Sequence, residues 1–99
     1  VLVALNKKYK DELIAIVHKH VPGCTIYLFG SRALDKEYSG SDIDIALDTG
    51  KVIDHKKLLA IQLDFDETTI PMEMDLVDLC AVSQELKDDI LREGVKWTN

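Results

Sequence analysis

Cysteine is scarce in this chain of 99 residues: it has two, Cys24 and Cys80. They stand too far apart for a CxxC metal or redox pair. The expectation is two reduced thiols in a reducing compartment. Basic residues are also few, 12 Lys and Arg against 18 Asp and Glu, for a formal net charge of -6. Affinity for nucleic acid comes largely from Lys and Arg neutralising phosphates, so stand-alone nucleic-acid binding is not expected. The balance fits better with a protein that holds cations or meets a basic partner. No apolar run approaches the ~18 residues a membrane span needs, and no secretory signal core is visible at the N-terminus. The location expected from these absences is cytoplasmic. Internal repeats, low-complexity tracts and linkers are lacking too.

What is there reads as one domain over residues 1–99. The 46% apolar and 30% charged composition is that of an ordinary globular chain. A chain of this size buries roughly 60–70% of its unfolded surface, enough for one modest core. Tyr9, Leu13, Ile16, Val17 and Val21 recur on one face of a 3.6-residue period, so a helix is expected, ended by Pro22-Gly23. Thr25 to Phe29 is a short β-branched and aromatic run before Gly30-Ser31, a buried strand. A polar segment from Arg32 to Gly40 leads to a second strand, Asp42 to Leu47. Asp54 is placed to cap a helix reaching about Leu63. Phe65 to Pro71 reads as a polar connection, and Met72 to Leu79 as a third strand. Ser83 caps a last helix, with Glu85 in its first turn and Gly94 at its end. Val95 to Thr98 forms a short extra strand or a docked tail. The expected fold is α/β (α+β): a small mixed sheet flanked by helices, in the order α-β-β-α-β-α, with a possible short C-terminal strand.

The chemistry concentrates in two places. Asp42 and Asp44 are two apart on a strand, so their carboxylates project from one sheet face. At ~4 Å and an effective dielectric of ~20, two such charges repel by about 4 kcal/mol. A raised pKa, a cation or water must offset that, and Mg²⁺ suits one or two carboxylates supplemented by substrate phosphates. Alone, a D-x-D pattern is commonly a solvated strand end. Gly30-Ser31 lies at the preceding strand's end, where a turn into a helix presents backbone N–H groups and a hydroxyl to phosphate oxygens. Alone, that too is an ordinary turn. Together the halves describe a site for a nucleoside triphosphate and its metal. His18 and His20 lie roughly 200° apart around a helix and cannot share an ion. They and His55 are expected to be exposed. Lys7, Lys8 and Lys10 read as a solvated helix face, and Trp97 as a packing or partner anchor.

Phe29-Gly30-Ser31-Arg32-Ala33 followed by Ser41-Asp42-Ile43-Asp44-Ile45-Ala46 resembles the signature of the minimal nucleotidyltransferases, small members of the DNA polymerase β superfamily. The resemblance spans almost the whole chain. It departs at Leu34-Asp35-Lys36-Glu37, where many relatives carry a glycine and basic residues. The family's third carboxylate stands on a later strand, here Met74-Asp75-Leu76-Val77-Asp78-Leu79. Asp75 follows an apolar residue and opens the run as that ligand does. Asp78, three residues on, faces the other side and reads as structural or exposed.

The resemblance implies transfer of a nucleoside monophosphate from a triphosphate, expected to be ATP, to an acceptor hydroxyl. Asp42 and Asp44 would hold two Mg²⁺ ions ~3.5–4 Å apart, and Asp75 the acceptor-side ion. Gly30, Ser31, Arg32 and Ser41 would contact the nucleotide. It also implies a small all-helical HEPN-type partner, with this chain as the antitoxin half of a toxin–antitoxin pair. The acceptor site would come from that partner, from a second copy, or be lacking. Two alternatives stand beside this reading: a non-catalytic module that neutralises the partner by contact, and a transferase for a small molecule of the aminoglycoside type.

Overall fold

The structure is a computed structural model that describes residues 7–30 and 42–98. Its elements run α1 (Lys7–His20), β1 (Thr25–Phe29), β2 (Ile43–Asp48), α2 (His55–Asp66), β3 (Met74–Asp78), α3 (Gln84–Glu93) and β4 (Val95–Lys96). This is the expected mixed α/β order, closed by the short C-terminal strand. The four strands form one sheet in the order β3-β2-β1-β4. β1 is antiparallel to β2 and to β4. β2 and β3 are parallel, which requires a crossover, and α2 supplies it.

Strand alternation sends side chains to two layers. On one face Ile26, Leu28, Ile43, Ile45 and Leu47 pack against Leu13 and Val17 of α1 and Ile61 and Phe65 of α2. On the other, Ala46 packs with Leu79 and Ile90, flanked by Tyr27, Phe29, Val77 and Leu86. Each large apolar side chain buried this way stabilises the fold by about 1.5–3 kcal/mol. The α1–α2 layer carries most of the core, and α3 covers only part of its face.

The caps follow the sequence. Asp54 Oδ1 accepts from the Lys56 N–H at 2.9 Å at the start of α2, and Ser83 Oγ accepts from the Leu86 N–H at 3.2 Å at the start of α3. Such caps contribute ~1 kcal/mol each. Gly94 closes α3, its N–H donating to Ile90 O at 2.8 Å.

Four expectations need correction. Phe65 is not in a polar connection: α2 runs through it to Asp66, and its ring is fully buried. It lies one helical turn beyond Ile61, and that apolar spacing outweighs its acidic neighbours. The third strand begins at Met74 rather than Met72 and ends at Asp78. The α1 histidines are not simply exposed. His20 Nε2 lies 2.6 Å from Asp64 Oδ2 on α2, and His18 Nε2 lies 3.1 Å from Cys24 O. Lys10 is not wholly solvated, since its Nζ sits 5.8 Å from the centroid of the Trp97 ring.

Trp97 is a packing anchor. Its ring joins the larger core, and its backbone N–H donates to Ile26 O at 2.7 Å. Thr98 Oγ1 accepts from the Ile26 N–H and donates to Cys24 O, both at 3.0 Å. Among the described residues no helix is long and apolar enough to cross a membrane.

Candidate active site

Three neighbouring strands build the site. In the antiparallel β1–β2 pair Phe29 stands opposite Asp44, and in the parallel β2–β3 pair Asp44 stands beside Asp75. Directly paired residues share a face, so Phe29, Asp44 and Asp75 form a row across one end of the sheet, on the α3 side. Asp42 is exposed and immediately precedes β2 rather than lying within it.

Electrostatics ties the acids together. The Asp44 carboxyl is held above the usual carboxylate range, first by burial, then by the negative charges of Asp75 and Asp42, and by a hydrogen bond with the Asp75 side chain. Two carboxyls hydrogen-bond to one another only when a proton lies between them. A cation bound beside these carboxyls would relieve the repulsion that raises Asp44.

Gly30 faces this pair. Its φ of +77° is a left-handed conformation, which glycine adopts without the Cβ penalty. A Cβ at this position would overlap Asp44 Oδ2. The turn after β1 can approach the carboxylates this closely only as glycine. On the other side of the row, a cavity of about 360 Å³ opens between α2 and β3, lined by Gln62, Asp66, Glu73 and Asp75 among others. Sequence reasoning missed this cavity because its walls come from two elements with no shared pattern.

Asp78 has a different place. It is 4% exposed. Its Oδ2 accepts from the Ile53 N–H at 2.7 Å, and its Oδ1 accepts from the Cys80 N–H at 3.0 Å. These bonds pin the start of the α2 connection and the turn after β3. Cys24 is buried, and desolvation pushes its thiol up to about 11. It is not a nucleophile at neutral pH. Ser31, Arg32 and Ser41 lie outside the described residues.

Among the described residues, no three His, Cys, Asp or Glu side chains are grouped as a ready-made metal cage. Mg²⁺ does not ask for one, because it binds through one or two carboxylates with phosphates and water completing its shell. The Asp44–Asp75 pair offers hard oxygen donors whose mutual repulsion a divalent cation relieves. The donor set fits.

The sequence profile described as polymerase beta, nucleotidyltransferase, matches residues 11–97. The chain belongs to the polymerase beta nucleotidyltransferase family. It is 31% identical over 85 residues to the probable protein adenylyltransferase MntA of Haemophilus influenzae, a match covering 82% of this chain and 75% of that protein. Its fold is similar to a chain in the crystal structure of a toxin–antitoxin with AMP-PNP, at a TM-score of 0.77 and 26% identity, covering 91% of this chain and 73% of the other. A mutant of the toxin–antitoxin MntA-HpeT matches at a TM-score of 0.76 and 27% identity, over 96% of this chain and 74% of the other.

Proposed function

We propose that this chain, acting as one cytoplasmic domain, transfers AMP from ATP to a hydroxyl of a small helical HEPN-type partner and serves as the antitoxin of that pair. The observation that carries the reading is the Asp44–Asp75 carboxyl pair, side by side on β2 and β3 and set against a glycine turn that no other residue would let so close. The relative named as a protein adenylyltransferase and the similar structure with AMP-PNP support the choice of nucleotide.

In the reaction, the acceptor oxygen attacks the α-phosphorus. A new O–P bond forms, the bond to the β-phosphate bridging oxygen breaks, and pyrophosphate leaves. The backbone at Gly30 and the Ser31 hydroxyl would hold the outer phosphates, with Arg32, next in sequence, and Ser41, beside Asp42, as the further nucleotide contacts the family resemblance implies. Asp42, Asp44 and Asp75 would hold Mg²⁺, two ions by family resemblance, which supplies charge neutralisation at the phosphates. Asp75, exposed at the row's outer end beside the α2–β3 cavity, receives the proton of the acceptor hydroxyl.

The test is direct. The protein, Mg²⁺ and ATP labelled at the α-phosphate are mixed with a small helical HEPN-type protein that co-purifies with it. The expected result is labelled partner, absent with Asp44→Asn. Tight binding of the partner without label transfer would replace catalysis with neutralisation by contact.

A further inference from the structure

A second cleft shares a wall with the acidic row. It measures about 180 Å³ and is lined by Phe29, Gly30, Leu86, Asp89, Ile90 and Glu93. That is below the ~300–1,000 Å³ of a site enclosing a whole drug-sized ligand, so it suits one part of a larger molecule. Its α3 residues fall at i, i+3, i+4 and i+7, one stripe of the helix. Ile90, buried, is the floor. Phe29 stands on the same sheet face as Asp44, its cross-strand partner. Gly30 both bounds the cleft and lies against the Asp44 carboxyl.

The rim is acidic. Arg92 Nη2 lies 2.5 Å from Asp89 Oδ1 and 3.5 Å from Glu93 Oε1. It fixes both carboxylates through one oxygen each. The second oxygen of each has no hydrogen bond among the described residues. Such a rim repels phosphate and accepts from N–H donors, and an apolar slot with an aromatic wall favours a flat ring. The geometry points to this cleft as the seat of the nucleobase, and to an amino-bearing purine as its occupant: the ring stacks along Phe29 and Leu86, and its exocyclic amino group donates to Asp89 or Glu93. This rests on the nucleotidyltransferase reading and deepens it, because the triphosphate must then run from the cleft past Gly30 to the acids.

Calorimetry with Mg²⁺ tests it, using ATP, purine riboside triphosphate (which lacks the amino group) and inorganic tripolyphosphate. The unaltered protein should bind ATP about tenfold more tightly than purine riboside triphosphate, the scale of one hydrogen bond to a charged group. The double variant D89A/E93A, altered at one half-exposed and one exposed side chain, should lose that preference and keep its affinity for tripolyphosphate. Phe29→Leu should weaken both nucleosides about tenfold, as expected for a lost stacking platform. Tripolyphosphate binding as tightly as ATP, or ATP binding unchanged in both variants, would overturn the base site and leave the transferase reading standing. No binding of ATP or tripolyphosphate to the unaltered protein would remove both.

Discussion

Asp75 and Asp78 stand three residues apart on β3 and live in opposite surroundings. Asp78 is buried and has a backbone N–H on each carboxylate oxygen. Asp75 is exposed, and the side chain it meets is another carboxyl, Asp44. A buried acid that is fully hydrogen-bonded belongs to the architecture. An acid left facing a second acid is a local repulsion, which a bound cation would relieve. Strand alternation separates the two: position 75 looks toward the α3 face and position 78 toward the α1–α2 layer.

The comparison is broken most sharply at Asp44. Asp44→Asn should lower label transfer by orders of magnitude, since the charge that attracts a cation is gone. Its thermal stability without metal should hold or rise, because the repulsion with Asp75 goes as well. Full activity in this variant would end the role given to the row. Asp75→Ala comes next. Turnover should fall by orders of magnitude while ATP affinity, measured with Mg²⁺, changes only a few-fold, the pattern of an interaction realised in the transition state.

Asp78→Ala should do the reverse. Removing a buried acceptor orphans the Ile53 and Cys80 N–H groups, which costs about 3 kcal/mol. For a chain of this length that lowers Tm by on the order of 10–20 °C. Transfer, assayed well below the new Tm, should stay near normal. If Asp78→Ala is inactive and Asp75→Ala normal, the assignment of the two acids is inverted.

The smallest effect is on pH. The Asp44 carboxyl is raised in the folded protein, so the folded state holds a proton that the unfolded state has released. Stability without metal should therefore fall as pH rises through the Asp44 value, and Mg²⁺ affinity should rise over the same window. Asp64 is shifted the other way: its hydrogen bond with His20 holds it below the usual carboxylate range. Its contribution is complete above the ordinary carboxylate value of ~3.9 and is lost as pH falls through the lowered one. Acid titration of Tm in Asp44→Asn and His20→Ala should flatten one slope each, with opposite signs.

Much of this was readable in the sequence. Periodicity and capping residues placed six elements in order, and the family resemblance picked Asp75 over Asp78 before the β2–β3 register set Asp75 beside Asp44. Local pattern could not reveal partners far away in the chain. His20 finds Asp64 across the α1–α2 contact, and a histidine with no local partner reads as solvent-facing. Phe65 was masked by flanking acids, although its spacing from Ile61 was visible. The cleft between β1 and α3 was hidden because Phe29 and the α3 stripe meet only once the sheet has formed. Ser31, Arg32 and Ser41 rest on the motif, as they lie outside the described residues.

β4 carries a consequence for biosynthesis. It is two residues long, yet with Trp97 and Thr98 it covers the outer edge of β1. On the ribosome, β1 is made early and its covering strand some seventy residues later, roughly 4–14 s at ordinary elongation rates. Through that interval β1 presents open backbone donors and acceptors to any neighbouring chain, the condition under which sheet edges aggregate. A nascent chain stalled before Val95 would have its α1–α2 layer and its acidic row encoded, but an unguarded edge. The last few residues described close the edge that the first strand would otherwise present.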